Sequence, residues 1–373
     1  MRVLLVLPWS DLRAIGGVNT IVHQLTAYLA SQGDQVSIAT LKWDLSLEKE
    51  EFQGTRVFRF PMRSPSSCRT LKSRIGLPLL LSWTLYRLAK LMKQERIEVV
   101  NLHYFSDQAL YFVLLKRLLR FRFLVSVHGT DVLGKEGPHN VTLINRWIAS
   151  IDELMVCSEA LKNAAFAEGS PAARRACVLR NAVDVGEVDR PLSRFDAVVS
   201  VASLIPRKGI DILIRAFCWL TPKFPNWQLW LVGSGELLDE LTRLTCDLNC
   251  GPQVRFFGAL ERHQALARVA QARIFCLPSH REGLPLAIAE AMMLKTPVIA
   301  TRVDGVPEII RDNIDGILVK PGSVEELSAA LEKLMSDENK AAELAASAFT
   351  RVQQEFSYDN WGRRYRDLLR GPA

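Results

Sequence analysis

The stretch Arg273–Met292, RIFCLPSHREGLPLAIAEAM, decides the fold class. Its first part, RIFCL, is a short apolar run that reads as a buried β-strand ending at Pro278. A loop follows with His280, Arg281, Glu282 and Gly283, and Pro285 falls where the first turn of a helix is expected. The remainder, LAIAEAM, is apolar enough to be a helix packed on both sides. A buried strand feeding directly into a buried helix is half of a βαβ unit, the building block of parallel α/β sheets. At the start of such a helix the amides of Gly283, Leu284 and Leu286 lack helical partners (Pro285 has none) and sit at the positive end of the helix dipole. That combination suits a phosphate. Glu282, just before the turn, would project into the adjoining cleft and Glu290, two turns into the helix, would reach the same cleft from beside it; carboxylates are good acceptors for the hydroxyls of a sugar or ribose. The same spacing also fits a Glu282 that complements the dipole and a Glu290 on the surface; the setting between two apolar elements favours the ligand.

The alternation continues in both directions. RVLLVLP, QVSIAT, EVVNLH, FLVSVHG and ELMVCS read as strands of a first half, with helical stretches between them. The polar, proline-containing RPLSRFDA (Arg190–Ala197) reads as a linker. A second series then begins: VVSVAS, WQLWLVGSG, VRFFG, RIFCLPS, TPVIAT and GILVKPG. The tail from about Ser323 is helical in pattern. The expected fold is α/β, with two tandem doubly wound parallel sheets over 1–190 and 191–355 and a final helix over 356–373. Ligands of such sheets bind beyond the carboxyl ends of the strands, so a cleft between the domains is expected.

A length of 373 residues suits about two domains, and 49% hydrophobic with 23% charged residues is the balance of a globular protein with a large core. Seven scattered cysteines form no disulfide framework or zinc spacing and read as reduced thiols of a cytosolic protein. The amino-terminal apolar run, about six residues, is shorter than a signal-peptide core and reads as the first strand. The most apolar long segment, Leu77–Met92, is broken by Arg87 and Lys90, so no transmembrane helix is expected.

The net charge of +7 lies wholly in residues 1–190, where 25 Lys/Arg stand against 18 Asp/Glu. Residues 56–122 hold 14 basic side chains and three acidic ones, interleaved with apolar residues. This is either a solvated basic face or a contact for an anionic membrane surface or lipid acceptor. No nucleic-acid module accompanies it.

Three further segments carry candidate chemistry. ASLIPRKGID brings Lys208 to a strand-to-helix turn, with Gly209 permitting close backbone approach; a lysine there suits a diphosphate. LVGSGEL supplies Gly233 and Gly235 after a strand, but Leu238 stands where a dinucleotide fingerprint wants glycine. AIGGVNTIV places Gly16 and Gly17 between the first strand and first helix, and SVHGTD ends a strand with His128 and Asp131.

Taken together, GGVN, VHGTD, RNAVD (Arg180–Asp184), RKGID, LVGSGE, SHREGLPLAIAEAM, TRVDGVPEII and DGILVKPG resemble, in order, the retaining nucleotide-sugar glycosyltransferases of family 4. The resemblance implies the GT-B fold, two facing Rossmann-like domains, with acceptor binding in the first and donor binding in the second. It implies that Glu282 contacts the transferred sugar, Glu290 the nucleotide ribose, and Lys208 with the amides at Gly283, Leu284 and Leu286 around Pro285 the departing diphosphate. His128 would touch the donor sugar, Gly16 and Gly17 would lie against donor phosphate or acceptor, and the last helix, around Trp361, would return to the first domain. It implies no metal and no cofactor beyond the nucleotide-sugar substrate. The basic, apolar region 56–122 suggests a saccharide or lipid-linked acceptor at the inner face of a membrane, and nucleic acid is not an expected partner. Two positions depart from the family pattern. Ser203 stands where many members carry a diphosphate-binding arginine; Arg207 either takes that role or, adjacent to Lys208, points to solvent, and Ala182 replaces a usual glycine. An epimerase or a non-catalytic sugar-nucleotide binder of the same fold is the alternative.

Overall fold

The computed structural model describes residues 1–9, 12, 17–41, 48–52, 54–63, 71–188 and 193–371, with backbone alone at 48, 49 and 71–76. The chain divides into two compact units, Met1–Arg180 with Asp359–Ala373, and Asn181–Tyr358. Part of the expected linker, 190–192, lies outside the described residues, and Phe195 already opens a strand.

The first unit is built on an eight-stranded sheet. Its strands are β1 (Arg2–Leu7), β2 (Gln35–Leu41), β3 (Glu48–Phe52), β4 (Thr55–Phe60), β5 (Val99–His103), β6 (Arg122–Val127), β7 (Glu153–Val156) and β8 (Ala176–Val178). Their order is β3-β4-β2-β1-β5-β6-β7-β8, parallel throughout except for the β3–β4 hairpin. β1 is central, and Val3 to Leu7 are completely buried, as expected of a strand covered on both faces. Each such side chain contributes about 1.5–3 kcal/mol relative to exposure.

Three strands were not expected. β3 (EKEEF) is an edge strand whose charges hide its alternation but guard the sheet edge against further pairing. β4 (TRVFRF) alternates openly, burying Val57, Phe58 and Phe60, and β8 is three residues long. The hairpin also changes the reading of the basic region. Arg59 pairs with Glu50 at 2.5 Å and Arg56 with Glu95 at 2.6 Å, and Lys116 is paired with Asp152. Arg56 and Arg59 of β4 and Lys116 are thus each held in an ion pair with a carboxylate rather than left as unpaired charge. Among the described residues no helix is long and apolar enough to cross a membrane.

The final helix, Tyr358–Arg370, belongs to this unit. Gly362 lies against the ring of Tyr28 on the helix Gly17–Ser31, where a Cβ would come within 2.4 Å of Tyr28 Cδ2. Arg366 Nε donates to Asp34 Oδ2 at 2.6 Å, and the terminal ammonium of Met1 meets Asp34 Oδ1 at 2.7 Å. Burial raises the Asp34 carboxyl, but Arg366 and the ammonium reverse this and hold it below its ordinary value.

The second unit carries a six-stranded sheet. Its strands, β9 (Phe195–Val201), β10 (Gln228–Val232), β11 (Val254–Gly258), β12 (Ala272–Leu277), β13 (Val298–Thr301) and β14 (Ile317–Val319), match the six anticipated from the sequence. The order is β11-β10-β9-β12-β13-β14, all parallel. Counting from β9 this is the doubly wound order 3-2-1-4-5-6, whose direction reverses between β9 and β12.

One expectation fails here. Cys218, near the end of the helix Ile210–Leu220, forms a disulfide with Cys250, their Cα atoms 5.6 Å apart. A separation of 32 positions conceals the pairing in sequence, although both turn into the same apolar core. With this disulfide the cysteines no longer mark a reducing compartment. Cys177, Cys246 and Cys276 are free thiols.

Candidate active site

The reversal point of the second sheet brings two loops side by side: Ala202–Gly209 after β9 and Pro278–Pro285 after β12. Pro206–Lys208 form a single 3₁₀ turn, and Gly209 ends it in the left-handed conformation, φ 61°. A Cβ on Gly209 would lie 2.4 Å from the carbonyl oxygen of Pro278, so glycine is required both for the turn and for the contact between the loops. The loops are joined again by the amide of His280, which donates to the Arg207 carbonyl at 2.8 Å. Gly233 and Gly235 press the loop after β10 against the same segment: a Cβ would meet the carbonyl oxygens of Ala202 at 1.9 Å and Leu204 at 2.3 Å.

This packing sets Lys208 Nζ 2.5 Å from Glu282 Oε1, with side-chain exposures of only 15% and 7%. The same carboxylate oxygen accepts the Ser279 hydroxyl at 2.6 Å. The Glu282 amide donates to Asp304 Oδ2 at 2.8 Å, and the Arg281 guanidinium pairs with the same Asp304 carboxylate at 2.9 Å. Asp304 itself adopts φ 39°, a conformation disfavoured for a non-glycine residue. Thr301 Oγ1 donates to the Ser279 carbonyl at 2.5 Å. Asp304 is thus the brace of the Glu282 loop. Sequence inspection did not single it out, although TRVDGVPEII contains it; an acidic residue before glycine looks like any turn.

The helix expected after Pro285 runs Leu286–Met293, with Pro285 as the N-cap rather than inside the first turn, φ −73° and ψ 108°. The shift follows from the ψ of Pro285, which is extended. Ile288 donates back to the Pro285 carbonyl at 3.2 Å, while the amides of Leu284 and Leu286 meet no acceptor among the described residues. Gly283 is half-buried and Leu284 buried.

Glu290 lies within the helix Leu286–Met293, and Arg262 Nη2 donates to its Oε1 at 2.7 Å and to the Asp184 carbonyl at 2.5 Å. Arg262, at the start of the helix Arg262–Gln271, was likewise missed; its partners lie 28 and 78 residues away. Ser203 is exposed, and Arg207 spends NH1 on the Arg281 carbonyl at 3.3 Å.

In the first unit the sheet reverses between β1 and β5. Gly16 lies outside the described residues; Gly17 is exposed and opens its helix. Trp9, after β1, donates from Nε1 to Asn19 Oδ1 at 2.9 Å and packs edge-on against Tyr104, ring centroids 5.2 Å apart. Tyr104, after β5, has φ 65°, again unusual for a side chain at the end of a strand.

His128 follows β6, and its Nε2 lies 3.3 Å from Nδ1 of the fully buried His103. Burial lowers His128 to about 4, and burial with the neighbouring ring holds His103 well below its ordinary value. Asp131 accepts the amides of Gly129 at 2.7 Å, Phe105 at 3.0 Å and His128 at 3.1 Å; burial nevertheless raises its carboxyl to about 6. Asp131 therefore fixes the backbone on which His128 rides.

Residues 15–187 match the family described as Glycosyltransferase Family 4, and residues 192–351 match Glycosyl transferases group 1. The chain belongs to the family 4 glycosyltransferases. It is 32% identical over 195 residues to the GDP-mannose-dependent alpha-(1-6)-phosphatidylinositol monomannoside mannosyltransferase of Mycolicibacterium smegmatis, a match covering 49% of this chain and 48% of that one. The match thus spans about half the length of that relative. Among solved structures, the sucrose-phosphate synthase of Thermosynechococcus elongatus superposes with a TM-score of 0.79 at 21% identity, covering 99% of this chain and 98% of that one. Alr3699/HepE of Anabaena, in complex with UDP-glucose, superposes with a TM-score of 0.78 at 19% identity and 99% coverage of both. These likenesses show the fold of this family 4 glycosyltransferase to be GT-B.

Proposed function

We propose that this chain is a retaining glycosyltransferase that moves a sugar from a nucleoside diphosphate sugar to an acceptor hydroxyl, in the synthesis of a cell-envelope polysaccharide or glycolipid. The observation that carries the reading is the Lys208–Glu282 pair, held at 2.5 Å at the reversal point of the second sheet, beside the start of the helix Leu286–Met293.

The reaction breaks the bond between the anomeric carbon and a diphosphate oxygen and forms one to the acceptor oxygen. Charge grows on the leaving diphosphate, and stabilising it there lowers the barrier. Lys208 and the amides of Leu284 and Leu286 are the groups proposed for that task, with Arg207 as a flanking cation. A bound diphosphate competes with Glu282 for the Lys208 ammonium, which leaves the Glu282 carboxylate to accept from the sugar hydroxyls. Glu290, oriented by Arg262, is assigned to the ribose, and His128 to the donor sugar. Gly16, Gly17, Ser203, Gly233 and Gly283 are assigned to backbone approach around the donor. The acceptor hydroxyl attacks from the face the diphosphate leaves, and the leaving phosphate takes its proton.

The name of the mycolicibacterial relative gives GDP-mannose as its donor and a phosphatidylinositol mannoside as its acceptor, and the Anabaena structure holds UDP-glucose. Both support a nucleoside diphosphate hexose donor. A lipid-linked acceptor also suits the helix Leu71–Gln94, which exposes Leu79, Tyr86, Lys90 and Lys93 and stacks Arg87 over Trp83 at 5.3 Å. That face would rest on an anionic membrane surface.

The test is to incubate the protein with UDP-, GDP- and ADP-sugars, with and without mannosylated phosphoinositide or polyprenyl-linked saccharide. Nucleoside diphosphate release that requires an acceptor is expected. No release across the panel would sink the reading, and an isomerised nucleotide sugar formed without acceptor would point to an epimerase.

A further inference from the structure

The buried polar cluster behind His128 is absorbed by none of the roles above. It is made by β5, β6 and the final helix: Asn101, His103, Ser126 and Tyr365 are all buried, and the rings of His103 and His128 stack at 5.4 Å with 19° between their planes. Tyr365 OH lies 2.7 Å from Asn101 Oδ1, 2.7 Å from Ser126 Oγ and 3.5 Å from His103 Nε2. Asn101 Nδ2 donates to Ser126 Oγ at 3.0 Å.

The protons in this cluster can be counted. The phenol has one, and Asn101 Oδ1 can only accept, so the phenol donates there. With that proton committed, the phenol oxygen accepts from its other neighbours: Ser126 from Oγ, for which the phenol at 2.7 Å is a nearer acceptor than Asn101 Oδ1 at 3.4 Å, and His103 from Nε2. Burial also keeps the phenol protonated, pushing it above its ordinary value. With its proton on Nε2, a neutral His103 presents a bare Nδ1 to His128 Nε2 at 3.3 Å. His128 must then carry its own proton on Nε2. Its other nitrogen, Nδ1, is left bare and has no partner among the described residues.

We infer that Tyr365 and His103 are positioning residues that lock His128 in its Nε2–H tautomer, so that His128 meets the donor as a hydrogen-bond acceptor through Nδ1. The inference rests on the proposed contact of His128 with the donor sugar and gives it a direction. A bare imidazole nitrogen accepts a hydrogen bond from a sugar hydroxyl and offers nothing to a phosphate oxygen. His128 therefore selects a hydroxyl on the transferred sugar, and the final helix, through Tyr365, takes part in donor recognition without touching the donor.

Two measurements test this separately. The first is the pattern of ring-nitrogen resonances in protein labelled with ¹⁵N-histidine at neutral pH, without any substrate. His103 and His128 are expected as neutral Nε2–H rings, and in Tyr365→Phe, which keeps the ring and loses the phenolic acceptor, the Nε2–H lock at His128 is expected to loosen into a tautomer mixture. A neutral Nδ1–H ring or an imidazolium at His128 in the wild type would overturn the inference, as would an unchanged pattern in Tyr365→Phe.

The second is steady-state kinetics with the best donor. Tyr365→Phe and His103→Ala should lower kcat/KM for the donor about tenfold, the effect of one misdirected hydrogen bond. His103→Gln, which keeps a donor toward Tyr365 and an acceptor toward His128, should recover most of it. Equal loss in His103→Ala and His103→Gln, at matched thermal stability, would show a merely structural role. Wild-type protein inactive with every donor would instead remove the proposed function and leave the tautomer result standing.

Discussion

At the scale of single residues, the central interaction is one lysine and one glutamate that most of the solvent has left. Lys208 and Glu282 are 15% and 7% exposed, and removing either strands the charge of the other. Such a loss costs about 3–5 kcal/mol at a buried pair, whereas replacing both partners by apolar side chains costs little. Lys208→Ala is therefore expected to lower the melting temperature and to reduce kcat by about 100-fold, the effect of removing one group that stabilises the leaving charge. The double variant Lys208→Met/Glu282→Leu should recover much of the melting temperature and none of the turnover, read by thermal unfolding and nucleoside diphosphate release. Unchanged turnover in Lys208→Ala would remove that residue from the chemistry. Both residues were legible in the sequence because each follows a clear apolar strand next to glycine. Their bond was not, because it exists only once β9 and β12 lie side by side. Asp304 and Arg262 were illegible for the opposite reason: their roles are to hold Glu282 and Glu290, and nothing local marks a residue whose partner is 22 or 28 positions away.

Among the elements, the loops after β9, β10 and β12 form one unit because glycines let their backbones touch. Gly209 has both a left-handed backbone and the Pro278 carbonyl oxygen 2.4 Å from where a Cβ would sit. Gly209→Ala should accordingly lose about 1–3 kcal/mol of stability in urea unfolding. A change of a few tenths would show that the loops can part without cost. The six strands of the second unit were readable because each is a short, mostly apolar run, and all but β9 have Gly or Pro at or beside an end. The hairpin of the first unit was not: EKEEF owes its place at the sheet edge to pairing with β4, not to burial. The Cys218–Cys250 disulfide was hidden for a similar reason, since only the packing of a helix end against a distant turn brings the two together.

For the whole molecule, the buried histidines set how stability follows pH. Unfolding returns His128 from about 4 to its ordinary 6.5, and His103 rises in the same direction. The unfolded chain then binds more protons than the folded one, so these groups make stability rise with pH from about 4 to 6.5. Asp131, raised to about 6 by burial, opposes them between its ordinary 3.8 and 6. With two groups against one, the cluster favours the fold at neutral pH. In His128→Gln, the loss of stability on going from pH 6.5 to 4 should be smaller than in the wild type by about 3 kcal/mol, at about 1.4 kcal/mol per pH unit per proton. Parallel stability curves for the two proteins would mean that His128 titrates normally. The central claim, however, concerns the bond made. Its most direct test is the anomeric configuration of the product, read by NMR after transfer from an α-linked nucleoside diphosphate hexose to a mannosylated phosphoinositide or polyprenyl-linked acceptor. An α-linked product that requires acceptor and disappears in Lys208→Ala is expected; a β-linked product, or none with any donor, would contradict the account.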